Sequence, residues 1–99
     1  MSPFEKTVAA VIRAIPKGST LSYAGVALRA NKPLGARQVV RALHTLKAVP
    51  WWRVIRSDGT LAEPVANEQA RRLRREGVKV TGQRVYLKTV KKKLKKPLR

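Results

Sequence analysis

Leu34-Gly35-Ala36-Arg37-Gln38-Val39-Val40-Arg41-Ala42-Leu43-His44-Thr45-Leu46 is the stretch whose reading decides the fold. Val39, Val40, Leu43 and Leu46 share one face at helical spacing, while Arg37, Arg41 and His44 recur at i, i+4 and i+7 on another. One side of this helix is apolar and the other cationic. Upstream, Ser22 is placed to cap a helix over Tyr23 to Arg29, with Leu21 packing back on it. Asn31-Lys32-Pro33 breaks that helix before the next begins near Leu34 or Gly35 and runs to about Leu46. Two short helices joined by a turn, the second with a positive outer stripe, predict a helix-turn-helix whose second helix enters a groove. An ordinary amphipathic helix with a solvated cationic face is the alternative. A formal net charge of +18 favours the groove.

Working outward to the N-terminal side, Ser2-Pro3-Phe4-Glu5 has the form of a capping box with proline at the first helical position. Phe4, Val8, Val11, Ile12 and Ile15 continue it as an apolar stripe until Pro16 ends the helix. On the C-terminal side, Pro50-Trp51-Trp52-Arg53-Val54-Ile55 holds both tryptophans of an aromatic-poor chain. Adjacent indoles on a strand face opposite ways, so at least one turns from the core and offers a face on which a flat base can stack. The alternative is that both simply fill a core. Arg53-Val54-Ile55-Arg56 has strand character, and Ser57-Asp58-Gly59-Thr60 is a tight-turn signal leading to Leu61, a hairpin placed to act as a wing. A further helix is expected over about Asn67 to Glu76, with Ala70 and Leu73 inward, Arg71, Arg72, Arg74 and Arg75 in water, and Gly77 as its C-terminal cap. Val78-Lys79-Val80 and Arg84-Val85-Tyr86-Leu87 alternate around Gly82 as a second small hairpin.

Composition narrows the class. Ninety-nine residues with 43% apolar content make one folded domain, over residues 1–87, followed by a basic and flexible tail over residues 88–99. Lys91, Lys92 and Lys93 lead that tail, whose chemistry is to neutralise phosphates whatever the base sequence. The 23 Lys and Arg against 5 Asp and Glu point to a polyanion, and no apolar run approaches the roughly 18 residues of a membrane span. No signal-peptide pattern follows Met1, so a cytoplasmic location is expected, nucleoid-associated in a bacterium. The absence of cysteine removes disulfides, thiolate metal sites and thiol nucleophiles together. A single histidine leaves no metal cluster, and the scattered carboxylates offer no acid and base pair, so neither an enzyme nor a cofactor is expected.

Ile15-Pro16-Lys17-Gly18, Leu21-Ser22-Tyr23, Gly35-Ala36-Arg37-Gln38-Val39-Val40-Arg41-Ala42-Leu43, Pro50-Trp51-Trp52-Arg53-Val54-Ile55, Ser57-Asp58-Gly59 and Glu76-Gly77-Val78 follow one another in a known order. In order and approximate spacing they resemble the DNA-binding domain of the 6-O-alkylguanine-DNA alkyltransferases, and more closely its cysteine-less relatives, the alkyltransferase-like proteins, over roughly residues 3 to 87. The resemblance implies a mainly α, small β (α+β) winged helix-turn-helix domain. It implies a monomer that binds duplex DNA from the minor groove, flips guanine alkylated on its exocyclic oxygen and holds it without repairing it.

By the same resemblance Arg37 is the arginine finger that fills the gap in the stack, and Tyr23 assists rotation of the target's phosphate. Trp51 stands where the transferases' Pro-Cys-His-Arg-Val motif has its cysteine, and lines the base pocket. Trp52 replaces that motif's histidine, so the network that activates a thiolate loses its second member too. Arg53 has either a supporting role or direct ligand contact. Glu76, with no histidine to orient, is structural. Ser22, Arg41, His44 and the tail lysines Lys91, Lys92 and Lys93 are the candidate DNA-backbone contacts, although Ser22 also reads as a cap. The transferases' pocket-closing loop is replaced by Leu61-Ala62-Glu63-Pro64-Val65, which predicts a less enclosed pocket that admits larger adducts. The implied downstream role is to mark the lesion for nucleotide excision repair factors (UvrA-like). A sequence-specific or architectural winged-helix protein is the alternative from another class.

Overall fold

The first helix, α1 (Pro3–Arg13), starts as its sequence requires, with the Ser2 hydroxyl accepting the Glu5 N–H at 3.1 Å and the Glu5 carboxylate accepting the Ser2 N–H at 3.0 Å. The computed structural model describes residues 2–61 and 64–86. After α1 it runs through β1 (Leu21–Ser22), α2 (Tyr23–Arg29), α3 (Ala36–Thr45), a 3-10 turn (Trp51–Arg53), β2 (Val54–Ile55), α4 (Ala66–Arg75), β3 (Val80–Thr81) and β4 (Arg84–Val85). The basic tail lies outside the described residues, Lys91, Lys92 and Lys93 with it.

Capping residues place both helices of the helix-turn-helix. Ser22 accepts the Gly25 N–H at 2.9 Å and opens α2. At the other end Asn31 takes the left-handed conformation (φ 65°), the Lys32 N–H bonds the Ala27 carbonyl and the Asn31 N–H bonds the Leu28 carbonyl. This two-bond closure stops the helix within one residue, and asparagine tolerates it better than a branched side chain would. Gly77 closes α4 in the same way, with Val78 reaching back to Leu73 and Gly77 to Arg74 at φ 90°.

Two cores result. Val8, Ala9, Ile12, Ile15, Val26, Ala27, Ala30, Val39, Ala42, Val49 and Val54 pack α1, α2 and α3 against the strand, and Ile55, Leu61, Ala66, Ala70, Leu73 and Val85 form the second core beneath α4. Neighbouring strand residues point to opposite faces, so Val54 and Ile55 serve different cores. β2 pairs parallel with β1, Leu21 opposite Val54 and Ser22 opposite Ile55, and α2 and α3 supply the crossover that a parallel pair needs.

That pairing corrects the first expected hairpin. The segment after Arg53 does not fold back on Leu61 as a ladder: β2 turns to β1, and Thr60 bridges to Arg84 beside the β3–β4 hairpin. The turn itself forms, with the Asp58 carboxylate accepting the Thr60 N–H at 3.0 Å and hydroxyl at 2.7 Å. Two helix-face assignments are also corrected. Val40 is exposed rather than part of the apolar core face, and Arg72 is half-buried against both indoles rather than out in water. Among the described residues no helix is long and apolar enough to cross a membrane.

Replacing Ser22 by alanine removes the α2 cap and is expected to lower stability by about 1 kcal/mol. Urea unfolding should show the midpoint fall with an unchanged slope.

Candidate functional site

The 3-10 turn brings the adjacent indoles edge to face, with ring centroids 6.0 Å apart and planes at 87°. Trp51 packs against the first core and Trp52 against the second. The turn is preceded by Ala48 at φ 59°, a conformation that costs an alanine about 1 kcal/mol and bends the chain sharply into Pro50.

A single carboxylate holds the turn in place. Glu76 Oε1 accepts from Arg53 Nε at 3.0 Å and Glu76 Oε2 from Arg53 Nη2 at 2.7 Å, a two-armed pair whose side chains are 9% and 13% exposed. Trp52 Nε1 donates to Oε2 at 2.9 Å, and the Gly18 N–H reaches Oε1 at 3.4 Å. Arg53 Nη1 donates to the Ile15 carbonyl at 2.8 Å, so the guanidinium is engaged on every side. The Arg53 bonds, with help from Trp52 and Gly18, hold the Glu76 carboxyl at about 2, well below the usual 4.5, and they raise Arg53 in return. The Trp52 indole N–H supplies a donor to Glu76.

Beside Trp51 lies a cavity of about 310 Å³, lined by Tyr23, Val40, Leu43, His44, Trp51, Pro64, Val65 and Gln69. That is the lower end of volumes typical of small-ligand sites, about 300–1,000 Å³. Its walls come from four separate elements: the start of α2, the outer side of α3, the 3-10 turn and the start of α4. Tyr23 is half-buried there, and burial pushes its phenol up, so the hydroxyl stays protonated and able to donate at neutral pH.

Of the residues named from sequence, Tyr23, His44 and Trp51 meet at this cavity. Arg37 and Arg41 stand exposed on α3 to one side, on the same face as His44. Trp52 and Arg53 are not brought to its lining; both point instead to Glu76. Ser22 engages its hydroxyl oxygen as the α2 cap. Four contributors are not evident from sequence: Val40 and Leu43 as lining, Gln69 as a buried polar wall, and Arg72, whose guanidinium sits 4.8 Å from the Trp52 ring centre and 5.7 Å from that of Trp51. Gln69 carried a signal, being polar on the inward stripe Ala66, Gln69, Ala70 and Leu73. Among the described residues no group of three His, Asp or Glu could hold a metal.

The charge distribution isolates this face. Glu5 caps α1, Asp58 closes its turn, Glu68 pairs with Arg71 and Arg72, and Glu76 holds Arg53. Arg37 and Arg41 have no ion pair among the described residues.

Comparison with known proteins gives this arrangement a context. Residues 3–78 match the family described as 6-O-methylguanine DNA methyltransferase, DNA binding domain. The chain is 38% identical over 84 residues to the DNA base-flipping protein of Escherichia coli (strain K12), a match spanning 80% of this chain and 65% of that relative's length. It is 38% identical over 87 residues to Alkyltransferase-like protein 1 of Schizosaccharomyces pombe, covering 81% of each. In three dimensions it superposes on the crystal structure of S. pombe Atl1 in complex with damaged DNA containing O6-carboxymethylguanine, with a TM-score of 0.76 at 34% identity over 87% of this chain and 88% of the other.

The depressed Glu76 carboxyl makes stability pH-dependent. Its contribution is complete above the ordinary carboxylate value of 4.5 and is lost as pH falls toward about 2, because the unfolded chain takes up the proton first. Glu76→Gln breaks a largely buried ion pair and is expected to cost about 3 kcal/mol at pH 7. Urea midpoints between pH 2 and 7 should show a shallower acid limb in the variant than in the parent.

Proposed function

The chain belongs to the 6-O-methylguanine DNA methyltransferase DNA-binding family, among its alkyltransferase-like members, and from that premise we propose that it is a non-enzymatic sensor of alkylated guanine in duplex DNA. The observation that carries this reading is the cavity beside Trp51. An indole lines it in a chain with no cysteine at any position, and by the resemblance Trp51 stands where the transferases present a thiolate. An indole cannot form a thiolate-like nucleophile to accept an alkyl group, but its face and edge can hold a base. Capture without transfer is the chemistry that remains.

In this reading the cationic side of α3 lies along the duplex, where Arg37 enters the stack as the base leaves. Arg41, His44 and the tail lysines Lys91, Lys92 and Lys93 neutralise phosphates. Ser22 serves as the cap that sets Tyr23 at the helix start, and Tyr23 crowds the rotating phosphate from the mouth of the cavity. Extruding a base costs a few kcal/mol, less for a poorly paired lesion, and stacking returns about 1–3 kcal/mol. Selectivity therefore has two sources, the weak pairing of the lesion and its fit beside Trp51. Trp52, Arg53 and Glu76 act indirectly, holding the turn that carries Trp51. Since the lesion stays chemically intact, the bound complex must serve as a mark, and nucleotide excision repair factors (UvrA-like) are the class of partner that would read it.

Fluorescence anisotropy on matched duplexes, one with methylated guanine and one with plain guanine, tests the reading at moderately high fixed salt, which suppresses phosphate attraction. Tighter lesion binding with quenched tryptophan emission is expected; equal binding would leave a basic regulator or architectural protein. The division of labour has its own test. Arg37→Ala should abolish most of the lesion preference while leaving salt-sensitive binding, whereas ending the chain at Leu87 should weaken binding to every duplex alike and flatten the salt dependence.

A further inference from the structure

Arg56 follows β2 as Tyr23 follows β1. The two strands run parallel, with Leu21 opposite Val54 and Ser22 opposite Ile55, so the next residue of each, Tyr23 and Arg56, leaves the same end of the pair. Paired strands lie about 4.8 Å apart, which sets the two residues side by side. Burial pushes the Tyr23 phenol up while the charge of Arg56 draws it down, so the cation stands within electrostatic reach of the hydroxyl. The backbone of Arg56 is held. Its carbonyl accepts the Gly59 N–H at 2.8 Å and its N–H bonds the Thr60 carbonyl at 3.4 Å, closing the 56–60 turn. Thr60 Oγ1 makes a long contact with Arg56 Nη1 at 3.5 Å and donates its own proton to Asp58 at 2.7 Å. Asp58 is the acid of this turn, and its carboxylate is taken by the Thr60 N–H and hydroxyl. Among the described residues Arg56 has no ion pair; its side chain is exposed and most of its donors are open to solvent.

A guanidinium with open donors beside a protonated phenol fits one oxyanion that accepts from both. In a duplex that oxyanion is a backbone phosphate. We propose that Arg56 is a positioning residue for base extrusion, its guanidinium holding the phosphate of the rotated nucleotide against the Tyr23 hydroxyl. This rests on the function proposed above. Crowding by Tyr23 displaces a phosphate without retaining it, whereas a cation beside the hydroxyl gives the displaced phosphate a charge-assisted bond. The grip comes from the end of β2 and leaves Arg37 and Arg41 of α3 to the stack and to other phosphates. A bond made only after rotation favours the extruded state and adds nothing to the undisturbed duplex.

The test uses O6-methylguanine duplexes in which one phosphate is replaced by a neutral methylphosphonate: on the 5′ side of the lesion, on its 3′ side, or well away from it. Fully charged duplexes with O6-methylguanine and with guanine complete the set. In anisotropy titrations of the full chain, Arg56→Gln should bind the charged lesion duplex about fivefold more weakly than the parent, and the guanine duplex to within about twofold of it. One flanking methylphosphonate should abolish the Arg56→Gln loss, and the same one should abolish the loss caused by Tyr23→Phe, while the distant one changes neither. Arg56 is exposed and phenylalanine keeps the ring of Tyr23, so both variants should retain the parent's circular dichroism. No loss on the lesion duplex would overturn the inference, as would equal losses on lesion and guanine duplexes, since a general phosphate contact acts on both. A loss that survives both flanking replacements would overturn it too, as would the two substitutions being silenced by different linkages. Failure of the parent to prefer O6-methylguanine over guanine is a different result, and it would remove the proposed function together with the inference built on it.

Discussion

The arrangement depends on one carboxylate. Glu76, at the end of α4, gathers Arg53, the Trp52 indole N–H and the Gly18 backbone, while Arg53 also reaches the Ile15 carbonyl. Ion pairs taken out of water stabilise a structure only when they are well hydrogen-bonded, and here each guanidinium nitrogen of Arg53 and both carboxylate oxygens of Glu76 are engaged. A three-residue 3-10 turn has no apolar face broad enough to anchor itself. The network anchors it instead, linking the end of α1, the turn and the end of α4 at one point.

The turn also marks a division in the packing. Trp51 and Val54 belong to the helix-turn-helix core, Trp52 and Ile55 to the core beneath α4. Consecutive side chains are drawn in opposite directions, and the cavity opens where the two cores adjoin. A space between two bodies can be bounded by rigid elements on each side without leaving a hole inside either. This lets the molecule combine a close-packed interior with a preformed site.

Charge follows from how the few acids are used. Each described carboxylate is committed to the frame, as a cap, in a turn, in a pair along α4 or in the Arg53 clamp. Few negative charges are left to oppose the cations of α3. A basic surface and an ordered fold are thus consequences of one distribution, in which the acids are engaged by backbone N–H groups, arginines of the frame and, for Glu5, the Thr45 hydroxyl of α3.

Helix boundaries, caps and the helix-turn-helix were legible in the sequence because they rest on bonds within a few residues. Ser2 with Glu5, Ser22 with Gly25, the break at Asn31 and the stop at Gly77 are local chemistry. The family likeness carried by Ile15-Pro16-Lys17-Gly18 through Glu76-Gly77-Val78 was legible for a related reason, since ordered motifs survive as strings. The partner of β2 was not, because strand character says nothing about which edge a strand meets; β1, 33 residues earlier at Leu21 to Val54, won over the nearer Leu61. Nor were the site's less obvious members. Gln69 finds its carbonyl partners 15 and 17 residues away, Arg53 finds Glu76 at a separation of 23, and Arg72 was assigned to water until the two indoles gave its guanidinium a surface. By itself the sequence determined the helices, the charge, the absence of a thiol and the family; only the tertiary structure decided which side chains share the cavity. Local bonds are specified by neighbouring residues, whereas a cavity exists only once elements distant in the chain have packed and left a gap between them.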